Sequence, residues 1–440
     1  MKRCLKIIIS ILSAALLLSG CTMRTVGQMY QLPRRSDDYN NLQSAIDSAM
    51  TGLDYSAPLA GENRQTVHIA DLDGDEDPEY LVFAKGSAER PLRILIFNEV
   101  EDTFVHVDTI ESNGSAFDQV EYVEMDGNHG VEIVVGSQLS DQVLRSVSVY
   151  TYTGGQIQQM MTANYTKFLA EDLNKDGLYE LFLLRPGQTD TDNGIAELYR
   201  VNQGVMERSN EVNMSAPPDK LKRILIGKLH DDKTAVYVAS TAGETALITD
   251  VYTIVDDRLA NVSFSNESGT SVKTMRNYYV YADDIDNDGV VELPYLISMQ
   301  PLEGEPGSDR QELIRWYAMQ SDGEEIDKLY TYHNFVGGWY LELDSSSAPR
   351  IAVKQIGNTY EFYLWDEQFR YAQPVMSIYA LSGQSREAHS REDGRFVLYK
   401  TESITYAASL KIAAAACGVT QESLLRAFHL IQQDWKTGET

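Results

Sequence analysis

Three observations predict that this 440-residue chain is all-β, built as a β-propeller of six to seven four-stranded blades. An acidic motif recurs six times at a nearly constant interval. Short apolar runs of strand length follow each copy, and helical periodicity is missing from about residue 62 to residue 400. Repeated sheets of this size must cover their apolar faces against neighbours, and a closed ring leaves none uncovered.

The chain opens with Lys2, Arg3 and Lys6, an apolar run from Ile7 to Leu18, and then small residues, which is the layout of a secretory signal peptide over residues 1–20. That run is too short to span a bilayer comfortably. Its end, Leu18-Ser19-Gly20-Cys21, resembles the bacterial lipobox, and the resemblance implies cleavage before Cys21 and lipid modification of that cysteine. Residues 21–36 read as a tether. In the lead-in, residues 37–61, Ser36 or Asp37 caps a short helix with Leu42, Ile46 and Met50 at spacing four, and Asp54-Tyr55-Ser56-Ala57-Pro58 breaks it.

The propeller is expected over residues 62–406. The six loops begin at residues 71, 124, 172, 228, 284 and 342, which sets intervals of 53, 48, 56, 56 and 58, the size of a four-stranded unit with turns. A hard cation such as calcium takes about six to eight oxygens, and alternate residues of a tight loop can converge on one point while a carbonyl adds a further oxygen from position seven. Loop one offers Asp71, Asp73, Asp75 and Glu79, with the carbonyl of Asp77. Loop three offers Asp172, Asn174, Asp176 and Glu180, with the carbonyl of Leu178. Loop five offers Asp284, Asp286, Asp288 and Glu292, with the carbonyl of Val290. Loops three and five carry glycine at position six, Gly177 and Gly289, where the turn is sharp. Loop two keeps Glu124, Asp126, Asn128 and Glu132 but has His129 at that position. Loops four and six place Lys228, His230, Ser346 and Arg350 where ligands belong, and are expected to be empty. The competing reading is an acidic turn in which Asp and Gly serve turn geometry alone. Against it, clustered carboxylates repel one another unless a cation neutralises them.

A seventh blade is expected from Phe396–Lys400 and Ile404–Ala408, with a strand from the N-terminal side closing the ring. Over residues 407–440, Leu410, Ala413, Ala414 and Cys417, then Leu424, Leu425, Phe428 and Ile431, recur at helical spacing about Gly418, which predicts two short helices packed in cis.

The pattern Asp-x-Asp-x-Asp-Gly-x-x-Glu between short strands resembles the FG-GAP/VCBS repeats of integrin alpha-chain propellers and bacterial surface proteins, over roughly residues 62–370. The resemblance implies a propeller fold and calcium in the loops. The missing Phe-Gly and the two degenerate loops depart from it. The whole chain also resembles clostridial-type lipoproteins that end in Trp-x-x-Gly-Glu, here Trp435-Lys436-Thr437-Gly438-Glu439.

Composition bounds the function. With 37 Lys+Arg against 65 Asp+Glu, the formal charge is −28, and it becomes −31 once Lys2, Arg3 and Lys6 are removed, which argues against nucleic acid as a partner. Cys4, Cys21 and Cys417 cannot build a disulfide framework, and Cys417 in its alanine-rich setting reads as a buried, inert thiol. The seven histidines never form a metal pair, and no phosphate cradle, nucleophile elbow or zinc signature occurs. Tyr278-Tyr279-x-Tyr281, Trp316-Tyr317 and Trp339-Tyr340 suit either a ligand cleft or strand cores. The expected function is a monomeric, lipid-anchored, calcium-binding propeller on the outer face of the cell membrane, a non-enzymatic binding or scaffold protein for an extracellular protein or glycan. The alternatives are an envelope enzyme acting on glycans from the propeller funnel and a purely structural envelope component.

Overall fold

Leu81-Val82-Phe83, Ile133-Val134-Val135 and Leu181-Phe182-Leu183-Leu184 are apolar at consecutive positions, the pattern of strands covered on both faces, and each is buried inside its sheet. Outer strands such as Gln156–Tyr165 alternate polar with apolar and lie largely exposed. The computed structural model describes residues 37–431 apart from 102, 140–143, 188, 190–192, 278–279, 300–301, 303–310 and 367–370. The signal segment, Cys21, the tether and residues 432–440 lie outside the described residues.

The described residues are all-β, with six antiparallel sheets in chain order. Sheet one holds Asp54–Tyr55, Val67–Ala70, Glu79–Lys85, Leu92–Val100 and Thr103–Ser112. Sheet two holds Ala116–Val123, Glu132–Gln138, Arg145–Thr153 and Gln156–Tyr165. Sheet three holds Lys167–Glu171, Glu180–Arg185, Ile195–Asn202 and Val205–Asn213. Sheet four holds Leu221–Lys228, Thr234–Ala242, Ala246–Val255 and Arg258–Asn261. Sheet five holds Glu292–Ser298, Glu312–Met319, Glu325–Asn334, Trp339–Leu343 and Phe428–Leu430. Sheet six holds Ile351–Ile356, Thr359–Asp366, Tyr371–Ser382, Ile404–Leu410 and Phe396–Lys400.

Apolar clusters join each sheet to the next. Phe83 and Ile96 pack with Phe117 and Ile133 between sheets one and two. Val134 and Val149 meet Phe168 and Leu181 between two and three. Phe182 and Leu198 meet Val236 and Tyr252 between three and four. Tyr237 and Val251 meet Leu293 and Tyr317 between four and five, and Trp339 and Leu341 meet Ile351 and Phe362 between five and six. Among the described residues the clusters link the sheets in single file from one to six.

A β-bulge beside an aromatic recurs between neighbouring strands: at Phe97, Tyr150 and Tyr199 between the last two strands of sheets one, two and three, and at Tyr317 and Tyr363 between the second and third strands of sheets five and six. The bulge offsets the register by one residue and bends the strand.

The expected lead-in helix spans Asp37–Ala49, and Ile46 buries against Val82, Leu95 and Phe97 of sheet one. The strands reserved for a seventh blade belong to sheet six, because Ile404–Leu410 pairs with Tyr371–Ser382 and Phe396–Lys400 pairs with Ile404–Leu410. The described strands therefore make six sheets, and no described N-terminal strand pairs with these two. The C-terminal segment also departs from two helices. Residues Ala407–Leu410 are strand, Ala415–Cys417 is a short 3-10 turn, and Gly418 reverses the chain at a φ of 65°. One helix, Gln421–Ala427, follows under a Thr420–Ser423 capping box. Phe428–Leu430 then pairs with the edge strand Trp339–Leu343, with Phe428 opposite Leu341. Covering an open sheet edge outweighs one more helical turn for these residues.

Candidate metal centre

Loop one turns the chain between Val67–Ala70 and Glu79–Lys85, loops two and three turn it between the first two strands of their own sheets, and loop five does the same across the Asp283–Glu292 bridge. In all four, positions four and six lie in the left-handed region. Loop one has Gly74 (φ 75°) and Glu76 (72°), and loop two has Gly127 (80°) and His129 (67°). Loop three has Lys175 (61°) and Gly177 (92°), and loop five has Asn287 (59°) and Gly289 (88°). One glycine per loop suffices, at either position, so His129 leaves the loop-two geometry intact.

The acids at positions one, three and five accept backbone N–H groups. Gly74 N and Glu76 N donate to the two oxygens of Asp71 at 2.8 and 3.1 Å, and Gly289 N donates to Asp284 Oδ2 at 2.9 Å. His129 N reaches Glu124 at 3.3 Å, and Asp176 N and Gly177 N reach Asp172 at 3.2 and 3.0 Å. Asn128 N, Asp176 N and Asp288 N donate to Asp126, Asn174 and Asp286. Asp77 N, Leu178 N and Val290 N donate to Asp75, Asp176 and Asp288. Turn geometry thus accounts for much of the acid pattern.

It does not account for the glutamate at position nine, which is buried in every loop. Its Oε2 accepts the backbone N–H of position two: Leu72 to Glu79, Met125 to Glu132 and Leu173 to Glu180 at 2.8 Å, and Ile285 to Glu292 at 3.1 Å. Burial, reinforced by neighbouring aspartates, pushes Glu79 up to about 7 and Glu292 up to about 8. Burial likewise raises Glu180 to about 7, with Arg200 opposing it, and raises Glu132.

The remaining surroundings of this carboxylate differ from loop to loop. Glu132 takes a hydrogen bond from the Thr151 hydroxyl. Glu180 Oε1 faces Arg200 Nε at 3.1 Å. Glu292 Oε1 accepts no hydrogen bond, and Lys328 Nζ stands 3.9 Å away while also pairing with Asp288 and lying 3.8 Å from Asp286. Glu79 Oε1 is buried with no hydrogen-bond partner. Asp71, Asp73 and Glu79 bring carboxylate oxygens within 4.8 Å of one another, and Asp284, Asp286 and Glu292 do the same. These two clusters can hold a metal ion, and their all-oxygen donor sets suit a hard cation.

The residues around the position-nine glutamate escaped sequence reasoning. Thr151 and Arg200 each follow the bulge aromatic of the third strand, Tyr150 and Tyr199. Lys328 comes from a strand further on, in Glu325–Asn334. The signal available in sequence was an aromatic 18 or 19 residues beyond the position-nine glutamate of loops one, two and three, at Phe97, Tyr150 and Tyr199.

Loop four is bridged by its own basic residues, Lys228 pairing with Asp232 at 2.8 Å, and loop six joins sheet five to sheet six instead of turning within one sheet. Neighbouring loops touch along the file. A Cβ on Gly130 would meet Leu72 O at 2.3 Å. Tyr179 N donates to Glu124 O at 2.8 Å, Lys175 pairs with Asp232 at 3.1 Å, and Val291 N donates to Lys228 O at 3.0 Å.

Elsewhere, Trp316, Tyr317, Trp339 and Tyr340 are buried core residues, while Tyr278 and Tyr279 lie outside the described residues. His68 is satisfied by Tyr122 Oη at 2.7 Å and Gln65 O at 2.9 Å. Cys417 is free and buried, and burial raises its thiol. Among the described residues no helix is long and apolar enough to cross a membrane.

No protein-family model matches the chain, and no curated protein matches it. Solved structures similar to it include the exotype rhamnogalacturonan lyase YesX, at 12% identity and a TM-score of 0.29 over 75% of this chain and 67% of that one. Rhamnogalacturonan lyase YesW matches at 12% identity and a TM-score of 0.28, over 73% of this chain and 64% of that one. Bacillus licheniformis rhamnogalacturonan lyase PL11 matches at 12% identity and 0.29, again over 73% and 64%. The chain thus spans about two thirds of the length of these proteins.

Proposed function

We propose that this chain is an exported, lipid-anchored β-propeller whose acidic loops bind calcium and which serves the cell envelope as a non-enzymatic binding or scaffold protein. Glu79 carries the metal assignment. A buried carboxylate oxygen with no hydrogen-bond donor, within reach of two further carboxylates, costs free energy that a divalent cation would recover. Loop five repeats the arrangement with Asp284, Asp286 and Glu292. Calcium suits the donors better than magnesium, because flexible carboxylates from one loop satisfy an irregular oxygen shell more readily than a strict octahedron.

Six successive sheets with a loop file along one edge support the propeller reading, as does the recurrence of the same bulge. The basic start, apolar run and Cys21 support export and anchoring. An ion that binds only the folded state stabilises it by mass action, about 2.7 kcal/mol at a hundredfold excess over Kd. The test is thermal melting of the chain after chelation and after calcium is restored. Calcium should raise the melting temperature, and superimposable curves would overturn the assignment.

A further inference from the structure

We propose that the group facing Oε1 of the position-nine glutamate selects the cation of each loop, so that loop three holds the guanidinium of Arg200 in place of a metal and loop five trades the ammonium of Lys328 for one. The proposal rests on the calcium reading of loops one and five and adds to it an order of occupancy.

In loop three, Arg200 Nε lies 3.1 Å from Glu180 Oε1, the oxygen that has no partner in loop one. The arginine is anchored from its other end too, since its Nη1 donates to the backbone oxygen of Asp257 at 3.2 Å and pairs with the Asp257 carboxylate. That anchor ties sheet three to the hairpin between the last two strands of sheet four. A guanidinium keeps its charge at any physiological pH, and ion pairs with Glu180 at one end and with Asp257 at the other hold it, so calcium would have to break two attachments to displace it.

In loop five the residue after the bulge aromatic is Ala318, which is paired with Glu292 and carries no charge. Lys328 supplies the cation from the next strand. Its ammonium sits among Asp286, Asp288 and Glu292, all three of them in the loop. The side chain is 14% exposed, so a short swing of its flexible stem returns the charge to water. Lys328 is therefore an exchangeable occupant, and its displacement weakens calcium binding at loop five. In loop one the corresponding residue after Phe97 is Asn98, which is neutral and hydrogen-bonds Tyr152, leaving Glu79 Oε1 without a partner. Loop one is the tightest of the three.

The experiment is calorimetric titration of calcium into chelator-stripped full chain, wild type against Lys328→Met and Arg200→Met. K328M should tighten the weakest wild-type site by about tenfold or more without changing the ion count, the gain expected from removing one competing charge in a shielded site. R200M should add one ion to the wild-type count, and calcium should restore the melting temperature it loses. Unchanged constants in K328M, or an unchanged count in folded R200M, would overturn the proposal while leaving calcium binding in place. Absence of calcium heat in the wild type would overturn the calcium reading itself. Should R200M fail to fold, the K328M titration decides.

Discussion

The backbone N–H of Leu72 donates to Glu79 Oε2 at 2.8 Å and fixes that carboxylate, so its second oxygen stays buried beside Asp71 and Asp73 with no donor to meet it. The same position-two to position-nine bond recurs in loops two, three and five, which makes it the common element of the repeat. Only the surroundings of the free oxygen differ from loop to loop.

Glu79→Gln separates the two states of loop one. The amide oxygen still accepts from Leu72, and its NH2 faces the aspartates, so the metal-free chain should gain about 1 kcal/mol. The calcium increment from loop one should vanish, because an amide offers a weaker ligand to a hard ion. Chemical denaturation with and without calcium checks both signs. A variant less stable without calcium and equally responsive to it would contradict the role given to this oxygen.

Metal-free stability should fall as pH rises from about 4.5 to 8. Folding raises Glu79 from 4.5 to about 7 and Glu292 to about 8, so across that window the folded chain keeps protons that the unfolded chain has lost. At about 1.4 kcal/mol per unit of pKa, the two rises put the loss at no more than roughly 8 kcal/mol, levelling off above pH 8. Calcium reverses the slope, since the ion binds the deprotonated carboxylates. Urea midpoints measured in chelator at pH 5 and pH 8, then repeated in calcium, give the comparison.

Backbone strain predicts opposite effects for two residues that meet. Gly74 has φ 75°, and a Cβ there would lie 2.6 Å from the carbonyl oxygen of His129 and 3.0 Å from Gly130 N. Gly74→Ala should therefore cost about 2–3 kcal/mol and disturb the contact between loops one and two. His129 itself holds φ 67°, a region that a β-carbon disfavours. His129→Gly should gain about 0.5–1 kcal/mol, the strain relieved exceeding the entropy added to the unfolded chain. Equal effects of the two substitutions in a urea titration would rule out the shared left-handed geometry.

The acidic loops and most strands were legible because ligand spacing and apolar runs are local properties of the chain. Sheet membership was not. Phe396–Lys400 and Ile404–Ala408 read as strands, the second running on to Leu410, but the pairing of the second with Tyr371–Ser382 is tertiary. The C-terminal segment misled because Leu424 and Phe428 fit helical spacing while Phe428 gains more by pairing opposite Leu341. The glycine rule for position six was too strict, since a glycine at position four serves as well. Arg200 and Lys328 were invisible because a bulge or a separate strand brings each to its loop.

His333 supplies a pH dependence of the opposite sign, away from the acidic loops. Its ring is buried, stacked on Tyr340 with centroids 5.0 Å apart, and flanked by Trp316 and Phe335. Burial lowers its pKa from 6.5 to about 3, so the folded chain holds the imidazole neutral where the unfolded chain would protonate it. For a base depressed by folding, the stabilisation is fully present above pH 6.5 and is lost as pH falls towards 3. The loss is about 1.4 kcal/mol per pH unit below 6.5 at its steepest. Carboxylates titrating in the same range act the other way, so the quantity to follow is the difference between wild type and His333→Phe, which keeps an aromatic ring against Tyr340. That difference should shift in favour of the variant by about 2–3 kcal/mol between pH 7.5 and pH 4.5. Parallel stability curves for the two chains would show that the imidazole carries its proton inside the fold, and that the aromatic cage around it admits charge.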